Sequence, residues 1–298
     1  MRRFRRILVV PVTASSDPPA ALTEAVALAE ASGADVRVLG HLDPLSDVEQ
    51  QAADAAGIAD LLDRAASAVE QRLAGWVERI DAASVSVEVA VGSLSAVVAN
   101  AVESGGHDLV IVAADRSVES AAASLRIVRG APCPVWLLRP GFEGSCVIAA
   151  LDLDADAEHN RLILDLASSQ AELHGGRVRV MHAWQTGHLE LLSRAADHRL
   201  DRKTESDIVS AVEWAHRQSL EELLFDRDDV GDVHLVDGSP GRSILALADL
   251  YRADLVVMGA GDVSAGSSEL GPTAEQVLAD GECSVLVVRG SGPPPPVG

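Results

Sequence analysis

The sequence predicts two doubly wound α/β domains in tandem, each built around a five-stranded parallel sheet. Two duplicated segments predict the tandem arrangement: His107–Ala113 recurs as Ala253–Gly259, and Cys133–Arg139 recurs as Cys283–Arg289, at offsets of 146 and 150 residues. A repeat at nearly one spacing indicates a duplicated domain. The composition predicts the fold class, because apolar residues make up 48% of the chain and aromatic residues only 3%. Such a core is aliphatic, and parallel sheets covered by helices have buried strands that are nearly continuous runs of Val, Ile and Leu.

In the first half, short apolar runs alternate with longer segments of helical periodicity, the pattern of successive strand and helix units. The predicted strands are Arg6–Val12, Val36–Leu42, Val85–Val91, Leu109–Ala113 and Val135–Arg139. The predicted helices are Ala20–Ser32, Val48–Ile80, Leu94–Gly105 and Val118–Val128. Gly33 follows the first helix, where a glycine typically ends a helix in the left-handed conformation.

The second half repeats this alternation. Its predicted strands are Cys146–Asp152, Arg177–His182, Asp232–Asp237, Leu255–Gly259 and Val285–Arg289. Its predicted helices are Ala157–Leu173, Glu190–Phe225, Ser243–Tyr251 and Thr273–Ala279. Because crossovers between parallel strands are right-handed, five such units per half favour a doubly wound sheet.

The boundary between the halves is predicted in Pro140–Gly144, a segment rich in Pro and Gly. The first domain is then residues 1–140 and the second is residues 145–290. Residues 291–298 include four consecutive prolines and are predicted to be a disordered tail.

The net charge of −21 argues against nucleic acid or an anionic membrane surface as a partner, because both would repel such a protein. The apolar run after the N-terminal arginines, Ile7–Val12, is too short for a signal peptide, and no segment has the length of a membrane span. Cys133, Cys146 and Cys283 show no metal-binding spacing and no disulfide framework. These features predict a cytoplasmic protein.

Several segments carry a resemblance to a known family. Ala253–Gly259, Gly271–Leu278 and Cys283–Val288 resemble the C-terminal part of a universal stress protein domain, and Ala131–Leu138 closes the first half in a similar way. With the tandem length, they look like the universal stress protein E type. The resemblance implies a flavodoxin-like domain (Rossmann-like, adenine nucleotide alpha hydrolase-like) in each half and a role in the stress response. It leaves activity open, because the family includes nucleotide binders and non-binders.

Family members that bind ATP have an Asp at the end of the first strand, and Gly-x-x-Gly, nine residues and Gly-Ser/Thr after the fourth. The positions that match in the second half are Asp152, Met258, Gly259, Gly261, Gly271 and Thr273. Glycines there let backbone N–H groups approach phosphate oxygens. The pattern departs from the family's because one residue separates Gly259 from Gly261, and Pro272, which has no N–H, replaces the hydroxyl residue. The loop between the glycines carries Asp262 and Glu269 but no basic residue, so bound ATP would need Mg²⁺.

The first half lacks both elements of that pattern. Its first strand, within Ile7–Thr13, has no Asp at its end, and Ala114–Glu119 after the fourth strand contains no glycine. The first domain is therefore predicted to be degenerate, without a phosphate loop.

Three histidines and two cysteines outside the pattern have structural interpretations. His41 and His182 end the second strand of their halves, and we expect partly buried rings bonded to the backbone, with contact to a ligand as the alternative. His159 is interpreted as a residue of a helix start; because it follows soon after Asp152, the alternative is that it lines the same crevice. Cys133 and Cys283 precede the last strand of each half, where packing is favoured over redox sensing.

Several functions stay open on the sequence. The resemblance favours a non-catalytic binding or regulatory protein with ATP as the candidate ligand, and a weak ATPase in the second domain is the enzymatic alternative. Glu190–Phe225, with Leu192 among its apolar residues, would wall a pocket for a hydrophobic or lipid-like ligand. The remaining alternative is a pure interaction scaffold with a protein partner. The family also implies pairing of the last strands, Pro134–Leu138 with Ser284–Val288, as an intrachain pseudo-dimer that is free to form a further homodimer.

Overall fold

The structure is a computed structural model that describes residues 4–12, 19–82, 84–115, 117–185, 202–261 and 270–289. The chain divides into two compact units, the second of which begins at Glu143. The predicted tail, residues 291–298, lies outside the described residues. Within the described part of the chain, no helix has the length and apolarity that crossing a membrane requires.

The first unit contains a five-stranded parallel sheet. Its strands are β1 (Arg6–Pro11), β2 (Asp35–Leu42), β3 (Val85–Val91), β4 (Leu109–Ala113) and β5 (Val135–Leu138). They lie in the order β3-β2-β1-β4-β5, with Ile7 paired to both Val36 and Leu109. This is the order of a doubly wound sheet, in which the order of strand addition reverses between β1 and β4. The predicted fold class is confirmed.

The helices of the first unit follow the prediction except at one place. They are α1 (Ala20–Ser32), α2 (Asp47–Ala55), α3 (Leu61–Arg79), α4 (Leu94–Gly105) and α5 (Val118–Gly130). The single helix predicted over Val48–Ile80 was wrong, because the chain breaks it into α2 and α3. Gly57 lies in the break at φ 72°, a left-handed conformation that ends a helix. Gly33 takes the expected left-handed cap of α1, and its N–H bonds the Ala29 carbonyl at 2.7 Å.

The second unit repeats this arrangement. Its strands are β6 (Cys146–Leu151), β7 (Arg177–Trp184), β8 (Val230–Asp237) and β9 (Leu255–Gly259), and β10 (Ser284–Val288) follows. The parallel order is β8-β7-β6-β9. The helices are α6 (Ala157–His174), α7 (Arg202–Leu224), α8 (Pro240–Tyr251) and α9 (Pro272–Asp280). The predicted helix over Glu190–Phe225 is described only from Arg202, so its proposed pocket residues, Leu192 among them, lie outside the described residues.

Aliphatic strands form the core of each unit. Every residue of β4 and of β6 is buried, as the uninterrupted apolar runs predict for strands covered on both faces. Each buried Val, Leu or Ile side chain contributes about 1.5–3 kcal/mol relative to an exposed one. Cys133 belongs to this interior, and burial raises the pKa of its thiol to about 12, which agrees with a packing role.

One aspartate at the start of the fourth strand anchors the first strand in each unit. The Asp108 carboxylate accepts hydrogen bonds from the backbone N–H groups of Arg5 and Arg6, at 2.8 and 3.0 Å. At the repeated position, Asp254 accepts from the Ser145 hydroxyl at 2.6 Å and from the Cys146 N–H at 2.9 Å. The sequence repeat therefore preserves a tertiary contact between residues more than 100 positions apart.

Candidate functional site

The carboxyl ends of β6, β7 and β9 surround a pocket of about 440 Å³ in the second unit. It lies where the strand order reverses between β6 and β9, the position at which doubly wound sheets bind ligands. The starts of α6, α8 and α9 and one side chain of α7 complete its walls. Residues from seven elements meet there because parallel strands all end at the same edge of the sheet.

Asp152 is the first residue after β6 and is exposed at the pocket. Its Oδ1 accepts the Asp154 N–H at 3.1 Å, which orients the carboxylate. The buried amide of Asn160 fixes the turn, because it donates to the Asp152 carbonyl at 2.7 Å and accepts the Asp152 N–H at 3.2 Å. Sequence analysis missed this role of Asn160. Its position eight residues after Asp152, in the first turn of α6, is the signal that was available.

The other predicted residues line the same pocket. Met258 and Gly259 end β9, Gly261 follows at φ 119°, and Thr273 lies in the first turn of α9. The N–H of Gly271 donates to the Ala260 carbonyl at 2.7 Å. A Cβ on Gly271 would lie only 3.1 Å from the Cα of Gly261, so the two ends of the glycine-rich loop touch through glycines. The predicted acidic residues of that loop, Asp262 and Glu269, lie outside the described residues.

His159 forms part of the pocket wall, which the sequence offered as the alternative to a plain helix-start role. Its side chain projects from the first turn of α6 and is 8% exposed. Both ring nitrogens are buried, and neither has a hydrogen-bond partner within the described chain. A Cβ on Gly259 would lie 2.8 Å from Nε2, so the ring packs directly on the β9 backbone. Burial lowers the pKa of His159 and outweighs the carboxylates of Asp156 and Asp152, which act to raise it.

A second pair of histidines lines the pocket beside Trp184. His182 Nδ1 donates to the Leu151 carbonyl at 3.0 Å, as expected for a buried histidine bonded to the backbone. Its Nε2 lies 3.2 Å from Nδ1 of His216 on α7. Burial lowers the pKa of His182, so a neutral ring accepts at Nε2 and His216 is the donor. The rings of Trp184 and His216 lie 5.7 Å apart between centroids, which gives the pocket an aromatic side.

The pocket wall is apolar and acidic. Ile163, Ile244 and Met258 contribute apolar surface, and Asp152 and Asp154 carry its negative charge. Among the described lining residues there is no Lys or Arg. No cluster of His, Cys, Asp and Glu suited to a metal ion occurs in the described ranges. The described lining residues offer no cationic side chain to a phosphate, and Pro272 offers it no N–H.

Comparison with known proteins decides the family. A model of the universal stress protein family matches residues 4–139 and again residues 147–289. The chain belongs to the universal stress protein family. The double match gives it two universal stress protein domains, in agreement with the sequence repeat.

Relatives of this universal stress protein include single- and tandem-domain proteins. It is 29% identical over 134 residues to a universal stress protein of Thermus aquaticus, covering 45% of this chain and 92% of that protein. It is 27% identical over 199 residues to universal stress protein E of Escherichia coli K12. That alignment covers 62% of this chain and 62% of the E. coli protein, so the chain matches less than two thirds of the relative's length.

Solved structures confirm the fold of this universal stress protein. A protein of unknown function from Pseudomonas aeruginosa PAO1 superposes with a TM-score of 0.66 at 21% identity, over 96% of this chain and 92% of its own. A universal stress protein from Archaeoglobus fulgidus superposes with a TM-score of 0.60 at 19% identity, over 95% of this chain and 98% of its own. At these identities the likeness concerns the fold alone.

The first universal stress protein domain has a short turn where the second has its glycine-rich loop. Asp115 follows β4, and its Oδ1 accepts the Ser117 N–H at 2.9 Å. The Ser117 hydroxyl caps α5 by accepting the Ser120 N–H at 3.1 Å, and the Ser120 hydroxyl accepts the Asp115 N–H at 3.0 Å. Side chains of the turn itself therefore bond the N–H groups that a phosphate would need. His41, which occupies the position of His182 in the first domain, donates from Nε2 to the Gly92 carbonyl at 2.7 Å, as expected for a histidine bonded to the backbone.

Proposed function

We propose that the protein is a non-catalytic stress-response protein whose second domain binds a small molecule, with ATP as the first candidate. One observation carries this proposal: Asp152, Met258, Gly259, Gly261, Gly271 and Thr273, chosen from the sequence, all line one pocket. That pocket lies at the edge of the sheet where such folds bind ligands. Its volume of about 440 Å³ suits a nucleoside.

The test is a calorimetric titration of nucleotide-stripped protein with ATP and Mg²⁺. We expect one binding event per chain, weakened at least about tenfold by Asp152→Ala, because a hydrogen bond to a charged group contributes about 1.5–3 kcal/mol. Asp156→Ala is the matched control. Asp156 is exposed and carries the same charge nearby, but it does not line the pocket, so this variant should bind as the wild type does.

An uncharged ligand of nucleoside size is the second candidate. The wall favours it, because the described lining residues carry two carboxylates and no cation. Titration with adenosine separates the candidates. Equal affinity for adenosine and for ATP with Mg²⁺ favours recognition through the nucleoside, and silence toward both contradicts the nucleotide proposal. Phosphate release during the ATP titration would contradict the non-catalytic part.

A further inference from the structure

His159 is a buried polar side chain that has no hydrogen-bond partner among the described residues. Its ring is 8% exposed, and both nitrogens are enclosed without a hydrogen bond to any described residue. Buried polar groups in native proteins are almost always bonded, so such an exception calls for an explanation. The other strongly buried histidines provide the contrast: His107 donates to the Ala101 carbonyl at 2.9 Å and His182 to the Leu151 carbonyl at 3.0 Å.

The position of His159 supplies the explanation. It lines the pocket and is packed against Gly259, the residue with which β9 ends. A glycine allows this approach, since a Cβ at position 259 would lie 2.8 Å from Nε2 of the ring. The backbone therefore makes room for an imidazole that bonds to none of the described residues. A ligand in the pocket would supply the missing partner.

We propose that His159 binds the ligand, with one ring nitrogen hydrogen-bonded to an uncharged polar group such as a sugar hydroxyl or a heterocyclic nitrogen. This inference rests on the ligand-binding function proposed above and specifies its chemistry. The group is uncharged because an anion at this place would face Asp152 and Asp154, with no basic side chain among the described lining residues to offset them. A neutral imidazole has one donor and one acceptor, which suits a hydroxyl or a heterocycle.

The experiment compares His159→Leu and His159→Gln with wild type, using adenosine and ATP with Mg²⁺ as probes. Leu has nearly the volume of His and no polar atom, so we expect adenosine to bind about tenfold more weakly or worse, equivalent to roughly 1.4 kcal/mol. The loss should be the same for both probes, because both present the nucleoside. Gln keeps a donor and an acceptor and should retain part of the affinity.

The ligand-free protein gives an independent readout. His159→Leu removes two buried nitrogens that bond to none of the described residues, so the melting temperature should rise by about 2–4 °C. His107→Leu is the matched control, because His107 is equally buried at 7% exposed but is bonded. That variant should lower the melting temperature and leave adenosine affinity unchanged. Adenosine should also move a ring ¹⁵N resonance of His159 and leave those of His107 in place.

The outcomes separate the two proposals. Wild-type binding that His159→Leu leaves intact would overturn this inference and leave the proposed function standing. A loss of affinity confined to ATP would place His159 at the phosphates and overturn the proposal that it bonds an uncharged group. A lower melting temperature for ligand-free His159→Leu would indicate a structural role and overturn it as well. Wild-type protein that binds neither probe would refute the proposed function, and this inference with it.

Discussion

Replacing Gly259 by Ala tests the close packing of β9 against His159. The added Cβ would lie 2.8 Å from Nε2, 3.5 Å from Cδ2 and 3.8 Å from Cδ1 of Ile163. Ordinary contacts begin near 3.5 Å, so the ring must retreat by about 0.7 Å while the contact with Ile163 is normal. The ring is buried and its helix is packed on the sheet, so the strain is poorly relieved. Overpacking of this kind costs about 1–3 kcal/mol.

A double-mutant cycle isolates that strain. In a His159→Ala background the colliding ring is absent, so Gly259→Ala should cost no more than about 0.5 kcal/mol there. Urea unfolding followed by circular dichroism, with the transitions of the two domains fitted separately, measures the four free energies. Gly75→Ala is the control for the methyl group itself. Gly75 lies in α3 with no atom within 4 Å of its would-be Cβ, so this variant should gain about 0.5–1 kcal/mol.

Additive costs in that cycle would refute the reasoning. If Gly259→Ala destabilised the wild type and the His159→Ala protein equally, its cost would come from the strand and not from the ring. A cost near zero in both backgrounds would show that His159 moves freely, which contradicts its tight packing. Either result would also remove the support that Gly259 gives to the position of His159.

Two further predictions concern stability. Burial lowers the pKa of His107 and His182, so below the ordinary histidine pKa of about 6.5 the unfolded chain binds more protons than the folded one. The free energy of unfolding should therefore fall between pH 7 and pH 5, by at most about 1.4 kcal/mol per pH unit for each histidine. Melting temperatures measured across that range check the sign. Asp254→Ala should lower the free energy of unfolding of the second domain by about 1–3 kcal/mol, because the Cys146 N–H and the Ser145 hydroxyl lose their acceptor. In the same urea assay, Asp108→Ala should destabilise the first domain by a similar amount. A rise in stability at pH 5 would contradict the first prediction, and aspartate variants as stable as wild type would contradict the second.

The fold was largely predictable from the sequence, because burial on both faces makes the strands continuous apolar runs. The bounds of β3, β4 and β9 agree with the prediction. The break between α2 and α3 was missed because amphipathic periodicity continues across it, and a lone glycine, Gly57, is tolerated within many helices. Only its left-handed φ of 72° reveals the turn.

The pocket residues at the ends of strands were predictable from the sequence, whereas those contributed by the faces of helices were harder to predict. Asp152 and Gly259 were accessible because parallel strands bring their carboxyl ends to one edge. A pocket position was predicted for His159 only as an alternative and was not predicted for His216, because their roles depend on how α6 and α7 are rotated about their axes. His216 reaches His182 across 34 residues of chain, a separation that no local pattern encodes.

The pairing of β1 with β4 has a consequence for synthesis on the ribosome. Ile7 pairs with Leu109, so one edge of the central strand waits for about 100 further residues to be made. At roughly 5–20 residues per second, that wait is about 5–20 s. The interval recurs in the second domain, where Val147 pairs with Leu255. Each nascent half thus leaves one apolar strand edge unpaired for seconds, the state in which an emerging chain is most prone to aggregate.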